Sequence, residues 1–371
     1  MSSPRLTFNA HTHRASVSKA GIADPTFHPS LPDFAPTPLR SVPKAAQRLG
    51  VRTVLVKDES QRLGMPSFKI LGASWATYRA IMAHLGLPVG DKPTLDELRE
   101  AVAIHGSDLT LVAATDGNHG RAVARMAKLL DLRAIILVPA GTVDTRINSI
   151  IGEGAEVRIV SGGYDRAIAA SATLSDDKHV VISDTSWEGY TDTPGWVIDG
   201  YSTLLGEVID EIEAGHVGEP TVVAAQMGVG AFAAAVARQF ASRPARLLVG
   251  VEPTKADCVI TSVEAGKIIT IPEPQDSIMA GMNCGTPSIV AWDDVLRGYD
   301  VFVTVTDDDA RDAMRLLHDG GIAAGESGAA GLAGLLAHAE GLGLGPEDDV
   351  ILFLTEGVTD PVAYRDIIGR R

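Results

Sequence analysis

Short runs dominated by Val, Ile, Leu and Ala alternate along this chain with longer helical segments, and this alternation limits the fold more than any other feature. The runs are Thr53–Val56, Leu109–Ala114, Ala134–Val138, Glu156–Val160, Val180–Ser183, Val222–Gln226, Leu247–Val251, Val301–Thr304 and Ile351–Leu354. Between them the pattern predicts helices over Phe68–Ala83, Arg121–Leu130, Thr142–Ile151, Tyr164–Leu174, Gly195–Ala214, Ala231–Arg238, Asp307–Asp319 and Gly328–Glu340. A strand that is apolar on both faces belongs to a parallel sheet covered by helices on both sides. The fold class is therefore α/β. A length of 371 residues exceeds one compact core, so two domains are expected. There is no internal repeat and no low-complexity linker, so the boundary is expected to be two chain crossings. The segment Met1–Pro43, rich in Pro, Ser, His and Thr without periodicity, is expected as an extended arm over the body or as partly disordered.

Composition narrows the partners. A formal net charge of −15 argues against a nucleic-acid or anionic-membrane partner, since both need a basic surface. No run reaches the roughly 18 apolar residues that span a bilayer, and Met1–Lys19 has no apolar core of a secretory signal. A cytoplasmic protein is expected. Its two cysteines, Cys258 and Cys284, are too few for a disulfide scaffold. Each stands in a predicted loop, and the sequence allows them to lie close enough to bridge.

Three features invite a ligand. Thr306-Asp307-Asp308-Asp309 looks acidic enough for a metal, but Thr306 reads better as a helix cap with carboxylates on the helix's positive end. His11 and His13 are too few for a metal site. Gly228-Val229-Gly230-Ala231-Phe232-Ala233 follows a strand and opens a helix, with acidic Glu252 at the end of the next strand. That arrangement approaches a dinucleotide fingerprint, and a nucleotide-binding oxidoreductase is one reading of it. The motif alone establishes a turn whose N–H groups suit some phosphate.

Two further segments decide between phosphates. Ser67-Phe68-Lys69-Ile70-Leu71-Gly72-Ala73 sets a lysine at a helix start, where the ammonium form is disfavoured and the amine becomes a better nucleophile. Thr115-Asp116-Gly117-Asn118-His119-Gly120 closes a strand and opens a helix, forming a second nest of N–H donors suited to a carboxylate. Lys57 is the rival lysine, but it stands inside an alternating strand.

These segments resemble threonine dehydratase and its relatives. The match lies in the pyridoxal-phosphate (PLP) lysine motif at Lys69, the substrate-carboxylate loop at Gly117-Asn118-His119, the phosphate loop at Gly228–Phe232 and the pyridine-nitrogen residue at Thr355. Within that family, Lys57-Asp58-Glu59-Ser60, Asp116, Asp184-Thr185-Ser186-Trp187-Glu188-Gly189-Tyr190, Met279–Gly285 and Thr355-Glu356-Gly357 resemble diaminopropionate ammonia-lyases. Met227 and Val358 depart from the family pattern.

The resemblance implies a fold-type II PLP enzyme: two open α/β domains with mostly parallel sheets and the cofactor in the cleft between them. Residues 62–194 would form the small domain, with 1–61 and 195–371 making the large one. It implies α,β-elimination of ammonia from 2,3-diaminopropionate, with Lys69, Asp116 and Asp184 catalytic. Lys69 would be the base on one face of the substrate and Asp116 on the other, and carboxylates at 116 and 184 would attract the β-ammonium. Lys69, Asn118, Gly228, Val229, Gly230, Ala231 and Thr355 would hold PLP. Ser67, Thr115, Gly117 and His119 would hold the amino-acid substrate. A homodimer is the family's expected assembly. A serine, threonine or hydroxyaspartate dehydratase of the same fold is the nearest alternative. Intact Lys69 argues against a catalytically dead sensor.

Overall fold

The computed structural model describes residues 3–19, 21–115 and 117–369. Among these the strands are β1 (Leu6–Phe8), β2 (Leu39–Ser41), β3 (Thr53–Asp58), β4 (Thr110–Ala114), β5 (Arg133–Pro139), β6 (Glu156–Val160), β7 (His179–Val181), β8 (Val222–Gln226), β9 (Leu247–Pro253), β10 (Val301–Val305) and β11 (Asp349–Leu354). The chain divides into two compact units, each with its own sheet. Met1–Ala20, Pro36–Gln61 and Leu204–Arg371 form one; Gly21–Ala35 and Arg62–Thr203 form the other.

The first unit holds a seven-stranded sheet in the order β1-β10-β9-β8-β11-β3-β2. Its five inner strands run parallel, while β1 and β2 add antiparallel edges. Val222, Val249, Val301, Val350 and Leu352 pack there against Ala313, Met314, Leu332 and Leu335 of the covering helices. Both edge strands come from the N-terminal segment, so of the two expectations for it the extended arm agrees with the structure and partial disorder does not hold for these strands. Leu6 pairs with Val303 and Leu39 with Lys57. The Arg5 guanidinium reaches Asp257 at 2.5 Å and Glu264 at 2.8 Å, and Asn9 Nδ2 donates to the Leu296 and Tyr299 carbonyls at 2.7 Å each. A three-residue edge strand is held by backbone pairing and a few polar anchors, so it carries no apolar period to read.

The second unit holds a parallel four-stranded sheet, β6-β5-β4-β7. Phe27, in the same N-terminal segment, is fully buried here against Trp75 and Tyr78. His28 is pinned beside it, Nδ1 to Thr203 Oγ1 at 2.7 Å and Nε2 to the Leu71 carbonyl at 2.9 Å. The single helix expected over Gly195–Ala214 is two, Asp192–Gly200 and Ser202–Glu213. Thr306 caps helix Asp307–Asp319 in a full capping box with Asp309. Among the described residues no helix is long and apolar enough to cross a membrane.

Candidate active site

Lys69 is the first residue of helix Lys69–His84, and the Ser67 hydroxyl accepts its backbone N–H at 3.3 Å. What fixes this helix is a glycine-on-glycine crossing with helix Asp192–Gly200. A Cβ on Gly72 would stand 2.5 Å from Tyr201 Cε1, and one on Gly200 would stand 2.5 Å from the Leu71 carbonyl oxygen. Only hydrogen fits at either position. Phe68 packs on Tyr201, ring centroids 4.6 Å apart. The spacing from Lys69 to Gly72 is therefore a packing rule that aims the lysine.

The Lys69 amine donates to Asp184 Oδ2 at 2.7 Å, and the Tyr164 hydroxyl donates to Asp184 Oδ1 at 2.7 Å. Asp184 is buried. Burial pushes its carboxyl pKa up, but the Lys69 charge and the hydrogen bonds from Lys69 and Tyr164 outweigh that, holding it well below the carboxylate range. Adjacent strands explain the meeting of two loops here. β4 and β7 are parallel neighbours, so residues after Ala114 and after Val181 emerge at the same sheet end, where α/β sheets place ligands. His119 Nε2 bonds the Ile182 carbonyl at 2.8 Å; a carbonyl only accepts, so this nitrogen carries the proton. Burial lowers the His119 pKa, so the ring is neutral, and its buried Nδ1 has no partner among the described residues.

Thr115 is buried, and its hydroxyl accepts the Gly117 N–H at 2.8 Å. Gly117, with φ of +155°, leads into half-buried Asn118, the first residue of helix Asn118–Leu129. Gly120 has Thr115 Cγ2 within 2.3 Å of a would-be Cβ, which explains the glycine ending this motif. Asp116 lies outside the described residues. Tyr164 was not foreseen: an aromatic opening a helix after two glycines carries no chemical signature in the sequence.

In the first unit, Gly228–Gly230 link β8 to helix Ala231–Phe240. The first N–H groups of that helix have no intrahelical acceptor. Gly230 has φ of +95°, and a Cβ on Gly228 would be 3.2 Å from both Cys284 Sγ and the Gly281 carbonyl oxygen. Thr355 follows β11, the neighbour of β8, and is buried. Gln226, also unforeseen, joins the two strand ends: its Nε2 donates to Thr355 Oγ1 at 2.7 Å and to the Phe353 carbonyl at 2.9 Å.

Several expectations need correcting. Cys258 and Cys284 are buried thiols that form no disulfide. They flank the same glycine, and the Cys258 thiol is directed at the Gly228 carbonyl, 3.9 Å away, so proximity here goes with packing and not with a bridge. Glu252 is also committed. Its carboxylate takes the Val259 and Ile260 N–H groups at 2.9 and 2.7 Å, so it is a buried helix cap and not a ribose ligand. Lys57 is buried against Glu207 Oε2 and the Thr37 carbonyl, both at 2.6 Å, which removes it as the rival nucleophile.

The model of the pyridoxal-phosphate dependent enzyme family matches residues 31–356. The chain belongs to this family. Among the curated proteins, the pyridoxal-phosphate dependent enzyme described here is similar to the diaminopropionate ammonia-lyase of Escherichia coli, 34% identical over 97% of this chain and 94% of the relative. The diaminopropionate ammonia-lyase of Salmonella typhimurium is 33% identical over 92% and 90%. Among solved structures, the Escherichia coli enzyme in complex with D-serine superposes with a TM-score of 0.87 at 30% identity, covering 99% of this chain and 98% of that one. The same enzyme with an aminoacrylate–PLP reaction intermediate gives 0.84. The residues of this chain fit the cofactor: a donor-rich glycine turn in which a Cβ at Gly228 would be crowded at 3.2 Å, a buried hydroxyl at Thr355, and an amine at Lys69 held beside a buried carboxylate.

Proposed function

We propose that this chain is a PLP-dependent carbon–nitrogen lyase that eliminates ammonia from 2,3-diaminopropionate, the product ending as pyruvate and a second ammonia. The observation that carries the reading is the buried, anionic Asp184 beside Lys69, in a chain similar over nearly its whole length to diaminopropionate ammonia-lyases. Lys69 would bind the cofactor covalently, the Gly228–Ala231 turn would hold its phosphate, and Asn118 and Thr355 would complete its binding. When bound, PLP supplies the electron sink for the charge left at Cα.

The protein's own groups account for the rest. An amine leaves poorly unless protonated, so the site must hold a β-ammonium. A buried carboxylate is unfavourable without a cation. When the substrate's amine displaces Lys69 from the cofactor, Lys69 is released as a free amine. The β-ammonium then takes over beside Asp184 the place that the Lys69 ammonium holds here, so the carboxylate stays paired. Neutral His119 adds no competing positive charge. Thr115, Gly117, Ser67 and His119 line the substrate side in this reading. Lys69 removes the Cα proton from one face and Asp116 from the other, because two stereoisomers present that proton on opposite faces. We further infer a homodimer located in the cytoplasm and serving amino-acid catabolism.

The test is a panel of D- and L-2,3-diaminopropionate, serine, threonine and 3-hydroxyaspartate, assayed for 2-oxo acid release by protein reconstituted with PLP. Diaminopropionate is expected to be the fastest. A faster hydroxy amino acid would make the chain a dehydratase. A protein that takes up no PLP and is not bleached by borohydride would overturn the lyase reading.

A further inference from the structure

The amide of Gln226 sits among three oxygens. Its Nε2 is 2.7 Å from Thr355 Oγ1, 2.9 Å from the Phe353 carbonyl oxygen and 3.1 Å from that of Ser327. Two of these are carbonyls and only accept, so the nitrogen, not the oxygen, must face them. The orientation has a consequence on the other side of the amide: Gln226 Oε1 is buried with no partner among the described residues. It lies against the start of helix Ala330–His338, 3.5 Å from where a Cβ on Gly331 would be. A buried amide oxygen left unsatisfied asks for an explanation.

That explanation lies in the hydroxyl of Thr355. The amide nitrogen has two hydrogens and no lone pair to offer. The two shortest contacts, Thr355 Oγ1 at 2.7 Å and the Phe353 carbonyl at 2.9 Å, take them, the Ser327 carbonyl at 3.1 Å only sharing one. The threonine oxygen therefore accepts and cannot donate back. No other group among the described residues bonds this hydroxyl, and Thr355 is 5% exposed. Its hydrogen must point away from Gln226. We infer that Gln226 is a positioning residue that fixes the Thr355 hydroxyl as a donor toward the cofactor's ring nitrogen, which is thereby kept as an unprotonated acceptor. The inference rests on the proposal that Thr355 meets that nitrogen. Polarity passes from the Phe353 carbonyl to the amide, from the amide's second hydrogen to the hydroxyl oxygen, and leaves by the hydroxyl hydrogen.

The experiment uses protein reconstituted with ring-¹⁵N-labelled PLP, reading the ring-nitrogen chemical shift and the PLP dissociation constant. In the unaltered protein the nitrogen is expected to be hydrogen-bonded, unprotonated and insensitive to pH between 6 and 9, as judged on the shift scale of model pyridines. A protonated nitrogen there overturns the inference without any variant. In Gln226→Leu, the Thr355 hydroxyl is free to turn to the released Phe353 carbonyl. The shift should then move toward that of unbonded pyridine, and the dissociation constant should rise about tenfold, the worth of roughly one hydrogen bond. Thr355→Val should do the same, and the double variant should be no worse than Thr355→Val alone, because both act through one bond. Gln226→Met, which keeps the side-chain length, stands in if Gln226→Leu fails to fold. If Thr355→Val leaves the ring nitrogen unmoved, the placement of Thr355 fails. If Thr355→Val moves it and neither Gln226 variant does, or if the losses simply add, Gln226 is only structural.

Discussion

Lys69 Nζ and Asp184 Oδ2 stand 2.7 Å apart, and the second oxygen of that carboxylate is taken by Tyr164. Each oxygen of Asp184 thus has one donor, and the pair is short enough for a charge-assisted bond. Asp184→Asn removes the charge while keeping the shape. It should lower kcat/KM for diaminopropionate by about 10–100-fold, the range for losing a hydrogen bond to a charged group. Serine, with no β-ammonium, should lose less. Equal losses on both substrates would mean that Asp184 serves only Lys69.

Lys69→Ala should abolish elimination. In the unaltered protein, borohydride reduction with bound PLP should label the peptide containing Lys69 and leave Lys57 unmodified, since Lys57 is held by Glu207 and the Thr37 carbonyl. Peptide mapping by mass spectrometry reads both. A label on Lys57 would falsify the assignment.

Gly72→Ala places a methyl 2.5 Å from the Tyr201 ring. The crowding should reduce stability by about 1–3 kcal/mol and shift the start of the helix that carries Lys69. Denaturant unfolding measures the first effect, and PLP titration the second. Gly206→Ala, where nothing stands within 4 Å, is the control and should not lose stability.

Asp348 gives a pH test away from the proposed chemistry. Hydrogen bonds from Arg246, at 3.0 and 2.7 Å, with help from the Thr221 hydroxyl and the Gly345 N–H, outweigh burial and bring its pKa from 3.8 to about 2. A lowered carboxyl pKa stabilises the fold above the unfolded value, and the benefit is lost as pH falls from about 4 toward 2. Asp348→Asn should therefore cost about 1 kcal/mol at neutral pH, little more than a partly exposed pair is worth. The two proteins should converge near pH 2. A constant gap across that range would mean that the loss is one of packing.

The inner strands and the main helices were legible because their residues repeat an apolar pattern over many positions. Val222–Gln226 and Asp307–Asp319 match to the residue. Lys69 and the glycine turns were legible because their motifs encode backbone geometry. Tyr164 and Gln226 were not, since each acts through a distant partner, 20 residues away for Tyr164 and 129 for Gln226, and nothing adjacent in the chain marks it. The cysteines show the converse. Sequence spacing allowed a bridge, while the side chains' surroundings left two thiols.

The strand order of the seven-stranded sheet also bears on how the protein is made. β1 pairs with β10 and β3 with β11, so each of these strands waits for a partner that is synthesised much later. The second unit's sheet needs only residues 110–181 and closes while synthesis continues. Until residues 349–354 emerge, the nascent chain carries an apolar β3 with no neighbour on its β11 side. That interval is when the newborn protein most depends on shielding from aggregation.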